Sequence, residues 1–290
     1  MAILQTDLRS ALALTTVADA MRPGVVTCSA ATRMPVVAAT MAAHAIHTMV
    51  VPSASGALTI TDLDLLRAAL GGTPKLTAGD ISREPIDTIA PAATLEYATA
   101  TMATLDVAHL LVGNAGSERP EGMLSSFDVA SVLSGRDPRL TRVIRPGPAR
   151  PLVSATRLSA TTVGEVMHAG VIVCLPHTPL RELAGRMADL RIHCIAVSGV
   201  GRHPDGDEHL LWGLVSDMDV VHAAHRDKLS APAGELAATA PLALTEDATL
   251  ERAATLMADH DVAHVVAVGR SGMPSGIVST LDVIRILAAG

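Results

Sequence analysis

The chain has 290 residues, of which 49% are apolar, and its formal net charge at pH 7 is −7. The length corresponds to about two ordinary domains, and the apolar content is ample for packed cores. Tyr97, Phe127 and Trp212 are the only aromatic residues, which argues against a stacking platform for single-stranded nucleic acid. The negative charge argues against a general nucleic-acid binder, and no apolar run is long enough to span a membrane.

The N-terminal segment and the cysteines predict a cytoplasmic protein. Asp7 and Arg9 interrupt the apolar stretch that a signal peptide would need. The cysteines lie in apolar, strand-like runs, and they predict reduced and buried thiols. They are Cys28, Cys174 and Cys194.

Two pairs of similar segments occur along the chain. Residues 16–32 align with residues 162–178 without a gap, at an offset of 146. Residues 78–112 align with residues 233–267 at an offset of 155, because the loop at 198–209 is longer. The chain is therefore predicted to contain four repeats, in which repeats 1 and 3 are sisters and repeats 2 and 4 are sisters.

The third repeat gives the clearest order of predicted elements. An apolar strand at 170–174 is followed by a helix that Thr178 caps, with Pro179 at its first position. The remaining elements are strands at 194–197 and 210–215 and a second helix from Ser216. Each repeat is therefore predicted to have the order β-α-β-β-α.

The predicted fold class is α/β (α+β), with four repeats paired into two pseudo-two-fold modules, because one repeat alone buries too little apolar surface. The first module is predicted at 1–134, with repeats at about 16–70 and 78–134. The second is predicted at 161–290, with repeats at about 162–227 and 233–289.

Residues 135–160 are predicted to be the linker between the modules, because this segment is rich in proline and arginine and breaks the repeat pattern. Arginine recurs at every third position, at Arg136, Arg139, Arg142 and Arg145. This spacing indicates either a solvated face of the linker or a segment that docks on an acidic surface or on phosphates.

The corner between the last strand and the second helix carries a hydroxyl residue and, three positions later, an acid. The four pairs are Thr61 and Asp64, Ser125 and Asp128, Ser216 and Asp219, and Ser279 and Asp282. This spacing is typical of a capping box, in which the hydroxyl accepts from a helical amide and the acid reaches back to the amide of the cap.

A ligand site is the second interpretation of the corners. In three repeats a glycine stands three residues before the serine, at Gly122, Gly213 and Gly276, where a helix cap needs none. A glycine inside a strand often marks the close approach of another group. The N-terminus of a helix also favours a bound anion.

Three other arrangements are not expected to be functional sites. Residues 199–206 are rich in glycine but lack the Gly-Lys-Ser/Thr ending of a phosphate loop. His222 and His225 lie near Asp217 and Asp219, but no second pair of zinc ligands has a matching spacing. No serine lies in a G-x-S-x-G elbow, so the protein is not expected to be an enzyme.

The repeat order, the pairing and the G-h-h-S-x-x-D corners at 122–128, 213–219 and 276–282 resemble CBS domains, the cystathionine-β-synthase-type repeats, which here would form two Bateman modules. The resemblance implies clefts for adenosyl nucleotides such as AMP, ADP, ATP or S-adenosylmethionine. It implies that the corner acids hold the ribose diol, because a carboxylate accepts from two adjacent hydroxyls. The corner hydroxyls and glycines would line the same ligand. Repeat 1 departs from the pattern with Leu58 in place of glycine.

One histidine precedes the second strand of each repeat, at His47, His109, His193 and His264. One interpretation is a partly buried residue whose ring is satisfied by nearby carbonyls. The other, which the resemblance implies, is a basic residue that reaches the phosphates of the nucleotide, for which the imidazole must be protonated.

The expected function is that of a non-catalytic sensor that binds an adenosyl nucleotide, has no prosthetic group or metal, and acts on an unknown regulated protein. The alternative is a ligand-free CBS scaffold that mediates self-association or partner binding. The Ala-rich helices that flank the corners favour a homodimer.

Overall fold

The computed structural model describes residues 10–54, 56–72, 75–83, 88–114, 120–138, 156–202, 208–237 and 242–288. Arg139, Arg142 and Arg145 of the predicted linker lie outside these residues, as do positions 203–207 of the glycine-rich loop. Within the described residues, no helix is both long enough and apolar enough to cross a membrane.

The described chain contains both helices and strands. The helices are α1 (Val17–Ala20), α2 (Met34–His44), α3 (Asp62–Leu70), α4 (Ala78–Ile81), α5 (Leu95–Leu105), α6 (Ser126–Leu133), α7 (Thr156–Ala160), α8 (Val163–Val166), α9 (Leu180–Leu190), α10 (Asp217–His225), α11 (Ala233–Leu236), α12 (Leu250–His260) and α13 (Thr280–Ala288). The strands are β1 (Arg22–Pro23), β2 (Thr48–Ser53), β3 (Gly56–Thr61), β4 (Thr88–Ile89), β5 (His109–Val112), β6 (Gly122–Ser125), β7 (His168–Ala169), β8 (Val173–Cys174), β9 (Cys194–Arg202), β10 (Glu208–Ser216), β11 (Ala243–Thr245), β12 (His264–Val268) and β13 (Pro274–Ser279).

The predicted mixture of helices and strands is confirmed, and so is the order β-α-β-β-α in three repeats. It is β4, α5, β5, β6 and α6 in repeat 2, β8, α9, β9, β10 and α10 in repeat 3, and β11, α12, β12, β13 and α13 in repeat 4. Repeat 1 has α2, β2, β3 and α3, and its first strand is reduced to a parallel bridge between Thr27 and Val50.

The predicted cap at Thr178 lies one residue too early. Helix α9 begins at Leu180, and its N-cap is Pro179, whose backbone is extended with φ −65° and ψ 142°. This conformation is held by the 231–233 segment, since the Leu180 N–H donates to Ala231 O over 3.1 Å and the Ala233 N–H donates to Thr178 O over 2.8 Å. In repeats 2 and 4 the position equivalent to Pro179 is a threonine, Thr94 or Thr249, whose side chain caps the helix.

Close contacts divide the chain into two compact units, of which the first comprises Met1–Val25, Ile86–Thr141 and Ile172–Ala240. It contains a sheet with the strand order β1-β6-β5-β4 and a sheet with the order β10-β9-β8. Helix α6 packs against α9 and α10, and α10 packs against α5. The buried core between them is built mainly from Leu, Val, Ala and Met, as the shortage of aromatic residues requires.

The second unit comprises Val26–Pro85, Arg142–Val171 and Pro241–Gly290. It contains a sheet with the order β11-β12-β13-β7 and the hairpin β2-β3. Helix α13 packs against α2 and α3, and α12 packs against α3. The first unit therefore joins helices of repeats 2 and 3, and the second joins helices of repeats 1 and 4. The predicted modules instead pair repeat 1 with repeat 2 and repeat 3 with repeat 4. The units describe only which helices pack together, and the division into modules at 1–134 and 161–290 stays a prediction.

The cysteines are free thiols, and two of them are buried in strands as predicted. Cys174 lies in β8 and Cys194 in β9, and burial raises the pKa of the Cys194 thiol to about 12. Cys28 is only half-buried and lies outside the strands, so the prediction is wrong for this residue.

Candidate functional site

Each of the four corners is a complete capping box. The acid accepts a hydrogen bond from the backbone N–H of the cap residue through Oδ2, over 3.0 Å at Asp64, 2.9 Å at Asp128, 2.7 Å at Asp219 and 2.9 Å at Asp282. The hydroxyl of Thr61, Ser125, Ser216 or Ser279 donates to the same oxygen and accepts from the backbone N–H of the acid. Capping therefore occupies one carboxylate oxygen and leaves Oδ1 for another partner.

The same contacts of an acid with a cap residue occur where no corner is present. The acids of α1, α4 and α8 accept from the backbone N–H of Thr16, Thr77 and Thr162 over 3.1, 2.8 and 2.7 Å. Those three acids are exposed, whereas Asp64, Asp128 and Asp282 are buried. The hydroxyl-x-x-acid pattern is therefore not specific for the corners, and burial of the acid is what distinguishes them.

Other parts of the chain approach each corner glycine so closely that a side chain would not fit there. A Cβ at Gly213 would lie 2.2 Å from Ala237 O, and one at Gly122 would lie 2.4 Å from Arg22 O. A Cβ at Gly276 would lie 2.6 Å from the Met167 sulfur and 2.7 Å from His168 O. The predicted close approach is therefore made by a neighbouring carbonyl or methionine, and a ligand contact of these glycines stays a prediction.

Three of the four corner acids have a cation at Oδ1. Arg83 Nε lies 2.7 Å from Asp64, and Arg22 Nε lies 3.5 Å from Asp128. Asp282 meets both Arg285 Nη1 at 2.8 Å and His168 Nε2 at 3.2 Å. Asp219 has no ion pair within the described part of the chain, and it is half-buried rather than buried.

Asp128 is the most deeply buried of the corner acids. Its Oδ1 is buried and has no hydrogen-bond partner among the described residues, because Arg22 at 3.5 Å is too distant for a good hydrogen bond. Burial raises the pKa of the Asp128 carboxyl, and Arg22 and the Ser125 hydrogen bonds oppose that rise only in part. The charge of this carboxylate is therefore poorly compensated.

Two of the predicted histidines are bound to carboxylates. His47 Nδ1 lies 2.6 Å from Asp62 Oδ2, and His193 Nδ1 lies 2.8 Å from Asp217 Oδ2. The prediction of carbonyl partners missed these acids, which are the first residues of α3 and α10. A signal was present in the sequence, since only repeats 1 and 3 have both an aspartate directly after the corner hydroxyl and the histidine in the earlier position.

The environment of His193 favours its charged form. Burial alone would lower the pKa of His193, but the hydrogen bond and the charge of Asp217 outweigh burial, so that the pKa is raised. The ring also packs against Phe127, with the ring centroids 5.2 Å apart.

His109 and His264 lie opposite the corner serines in the strand ladders. His109 pairs with Ser125 between β5 and β6, and His264 pairs with Ser279 between β12 and β13. Directly opposed residues of an antiparallel pair share one face of the sheet, so these histidines lie on the face of the corner hydroxyls.

His222, one of the two histidines near Asp217 and Asp219, bonds to a different aspartate. His222 Nε2 lies 3.0 Å from Asp106 Oδ1 at the end of α5. Among the described residues, no group of three or more His, Cys, Asp or Glu side chains has the geometry to hold a metal ion.

The family model of the CBS domain matches residues 78–135, 163–226 and 233–289. These segments are the predicted repeats 2, 3 and 4 and together make up more than half of the chain. Hypoxic response protein 1 of Mycobacterium tuberculosis is 29% identical over 130 residues, which are 44% of this chain and 85% of that protein.

Solved structures are similar at low identity. A Methanocaldococcus jannaschii protein, proposed as an archaeal homologue of γ-AMPK, is 16% identical over 93% of this chain and 99% of that chain, with a TM-score of 0.40. A CBS domain protein of Pyrobaculum aerophilum, solved as a complex with AMP, is 25% identical over 42% of this chain and 88% of that chain, with a TM-score of 0.35.

Proposed function

Because the chain belongs to the CBS-domain family, we propose that it is a non-catalytic regulatory protein that binds an adenosyl nucleotide, AMP, ADP, ATP or S-adenosylmethionine, at the corner of repeat 3. Asp219 would accept hydrogen bonds from the ribose hydroxyls, and Ser216 would contact the sugar or a phosphate. The signal would pass to a regulated partner protein from a cytoplasmic homodimer.

The observation that carries this proposal is the free oxygen of Asp219. Its Oδ2 caps α10, while Oδ1 has neither a hydrogen bond nor an ion pair within the described residues. The side chain is half-buried, so that a ligand can reach it. A carboxylate held by its cap in one orientation is well suited to accept from a diol, since its geometry is fixed before the ligand arrives.

The phosphates of the ligand would be placed by charge. Helix α10 has nine residues, and the positive end of its dipole, at the N-terminus, favours an anion. His193 supports the same assignment, because Asp217 raises its pKa and so favours the cation. The other histidines of the strand starts, His47, His109 and His264, are proposed phosphate contacts of their own repeats, and the corner residues of repeats 1, 2 and 4 are proposed to line weaker sites.

A scaffold without a ligand is the second candidate. It is supported by the completeness of the capping boxes and by the glycine contacts, since both account for the corner pattern without any bound molecule. In that case the corners would only begin helices, and the protein would act through self-association or partner binding.

Calorimetric titration of the full chain with AMP, ADP, ATP and S-adenosylmethionine tests the proposal. We expect binding of at least one of them by the wild type. Asp219→Asn keeps an oxygen that can accept from the Ser216 N–H but removes the charge, and it should weaken binding by about tenfold or more.

The matched control is Asp80→Asn, which changes the capping acid of α4, an exposed residue at a helix start without a corner. This variant should bind as the wild type does. Equal affinities of the wild type and Asp219→Asn would rule out the ligand role of Asp219, and no binding of any of the four ligands at millimolar concentration would favour the scaffold.

A further inference from the structure

The corner acids of repeats 1, 2 and 4 are covered by basic side chains. In each case an arginine meets Oδ1, the oxygen that capping leaves available. The contacts are Arg83 with Asp64, Arg22 with Asp128, and Arg285 and His168 with Asp282.

Each arginine is much more exposed than the acid with which it pairs. The side chains of Asp64, Asp128 and Asp282 are 6%, 1% and 5% exposed, whereas those of Arg83, Arg22 and Arg285 are 62%, 46% and 45% exposed. The guanidinium groups therefore lie between the buried carboxylates and the solvent. A ligand hydroxyl that approaches Oδ1 has to displace the arginine.

In repeat 3 the two positions that correspond to Arg83 and Arg285 are not arginines. At the offset of 155, Ala238 is the residue that corresponds to Arg83. His222 stands six residues after Ser216, as Arg285 stands six residues after Ser279, but its ring nitrogen is bonded to Asp106.

We propose that Arg83, Arg22 and Arg285 are built-in competitors of the ligand, which close the corners of repeats 1, 2 and 4 and restrict nucleotide binding to the corner of repeat 3. This inference depends on the proposed function, since it concerns which corners are open to the same ligand. A ribose hydroxyl would also make a charge-assisted hydrogen bond to Oδ1, but it is neutral, so the exchange loses the attraction between the guanidinium and the carboxylate. The guanidinium lies 2.7 and 2.8 Å from Oδ1 at the corners of repeats 1 and 4, and Arg22 faces Asp128 as an ion pair at 3.5 Å. The closed corners should bind the nucleotide at least about tenfold more weakly than the open corner.

The experiment is a calorimetric titration of AMP into the full chain, with the wild type, Arg83→Met and the double variant Arg83→Met/Asp64→Asn. The wild type should show one strong site. Arg83→Met should add a second site, or strengthen a weak one by about tenfold or more. The double variant should lose that second site, because the uncovered acid has been neutralised.

Arg186→Met is the matched control, since Arg186 is a half-buried arginine whose ion pair is with Glu182 and not with a corner acid. It should leave the number of sites unchanged. If Arg83→Met does not fold, as its melting curve without ligand would show, Arg22→Met gives the same test at the corner of repeat 2.

The outcomes separate this inference from the proposed function. One strong site that Asp219→Asn weakens, with no added site in Arg83→Met or Arg22→Met, overturns the role of the arginines and leaves the proposed function standing. Two or more equally strong sites in the wild type also overturn that role. If neither the wild type nor the variants bind AMP, ADP, ATP or S-adenosylmethionine, both proposals fail.

Discussion

Repeats 1 and 3 are sisters in sequence and share the backbone contacts of their corners. The N–H of Asp62 donates to His47 O over 3.0 Å, and the N–H of Asp217 donates to His193 O over 2.9 Å. In both repeats the histidine ring then bonds to the carboxylate of that aspartate. The local fold is therefore held by the same pair of interactions, one between backbone groups and one between side chains.

The two corners differ in the side chains that decide access. Repeat 1 has Leu58 and a covered acid, Asp64, whereas repeat 3 has Gly213 and an open acid, Asp219. The shared contacts stabilise the repeat, while a few other positions determine whether the corner acid is covered. Copying a repeat therefore preserves the fold more strictly than the surroundings of the corner acid.

The largest expected effect comes from giving repeat 3 the leucine of repeat 1. In Gly213→Leu the new Cβ would lie 2.2 Å from the carbonyl oxygen of Ala237, which is a backbone atom and cannot turn aside. Overpacking of this kind should lower the free energy of unfolding by about 3 kcal/mol or more. Urea denaturation followed by circular dichroism measures the loss.

The reverse change, Leu58→Gly, is the control for that prediction. Leu58 is half-buried, and its removal should cost only about 1 kcal/mol in lost apolar burial and strand propensity. Similar costs for the two substitutions would show that the close approach at Gly213 is not what distinguishes the sister corners.

A smaller effect is expected from pH, through His193. Its pKa is raised in the folded protein, because Asp217 and, more weakly, Asp128 favour the cation against the effects of burial and Arg22. The resulting stabilisation is complete below the unfolded pKa of about 6.5 and is lost as the pH rises through the folded pKa. Because the side chain is 37% exposed, screening limits the effect to about 1 kcal/mol or less.

Urea denaturation at pH 6 and pH 8.5 checks this prediction. The free energy of unfolding of the wild type should fall between the two values, and His193→Gln should remove part of that fall. His177→Gln, at an exposed histidine, should behave as the wild type does. An identical fall in the wild type and His193→Gln would show that the ion pair with Asp217 does not depend on pH in this range.

The order of the elements and the capping of the corner helices could be predicted from the sequence, because both depend on residues that are close together in the chain. Arg285 could also have been assigned, since it lies one helical turn after Asp282. The cover of Asp128 by Arg22 could not, because these residues meet only after β1 has paired with β6. The grouping of helices into units could not be predicted either. Sister repeats have similar apolar faces, and the sequence does not show which helices pack together.

The smallest expected effect concerns a matched pair of surface contacts on the second helices of the sister repeats. In repeat 1, Arg67 donates to Asp261 over 2.8 Å and to Ala258 O over 3.1 Å. In repeat 3, His222 occupies the equivalent position and bonds only to Asp106 among the described residues. The guanidinium has several donors and reaches both acceptors, whereas the imidazole reaches one.

Exchange of the two residues should therefore shift stability in opposite directions. Arg67→His should lower the free energy of unfolding, and His222→Arg should raise it, each by about 0.5 kcal/mol or less, because Asp261 and Asp106 are 74% and 83% exposed. The effect of His222→Arg should shrink in high salt, which screens exposed charges. Denaturation of both variants at low and high salt, with Asp106→Ala added to His222→Arg as a double-mutant cycle, isolates the pair. A gain that persists without Asp106 would come from packing of the longer side chain, and the comparison of the two helices would then rest on shape rather than on charge.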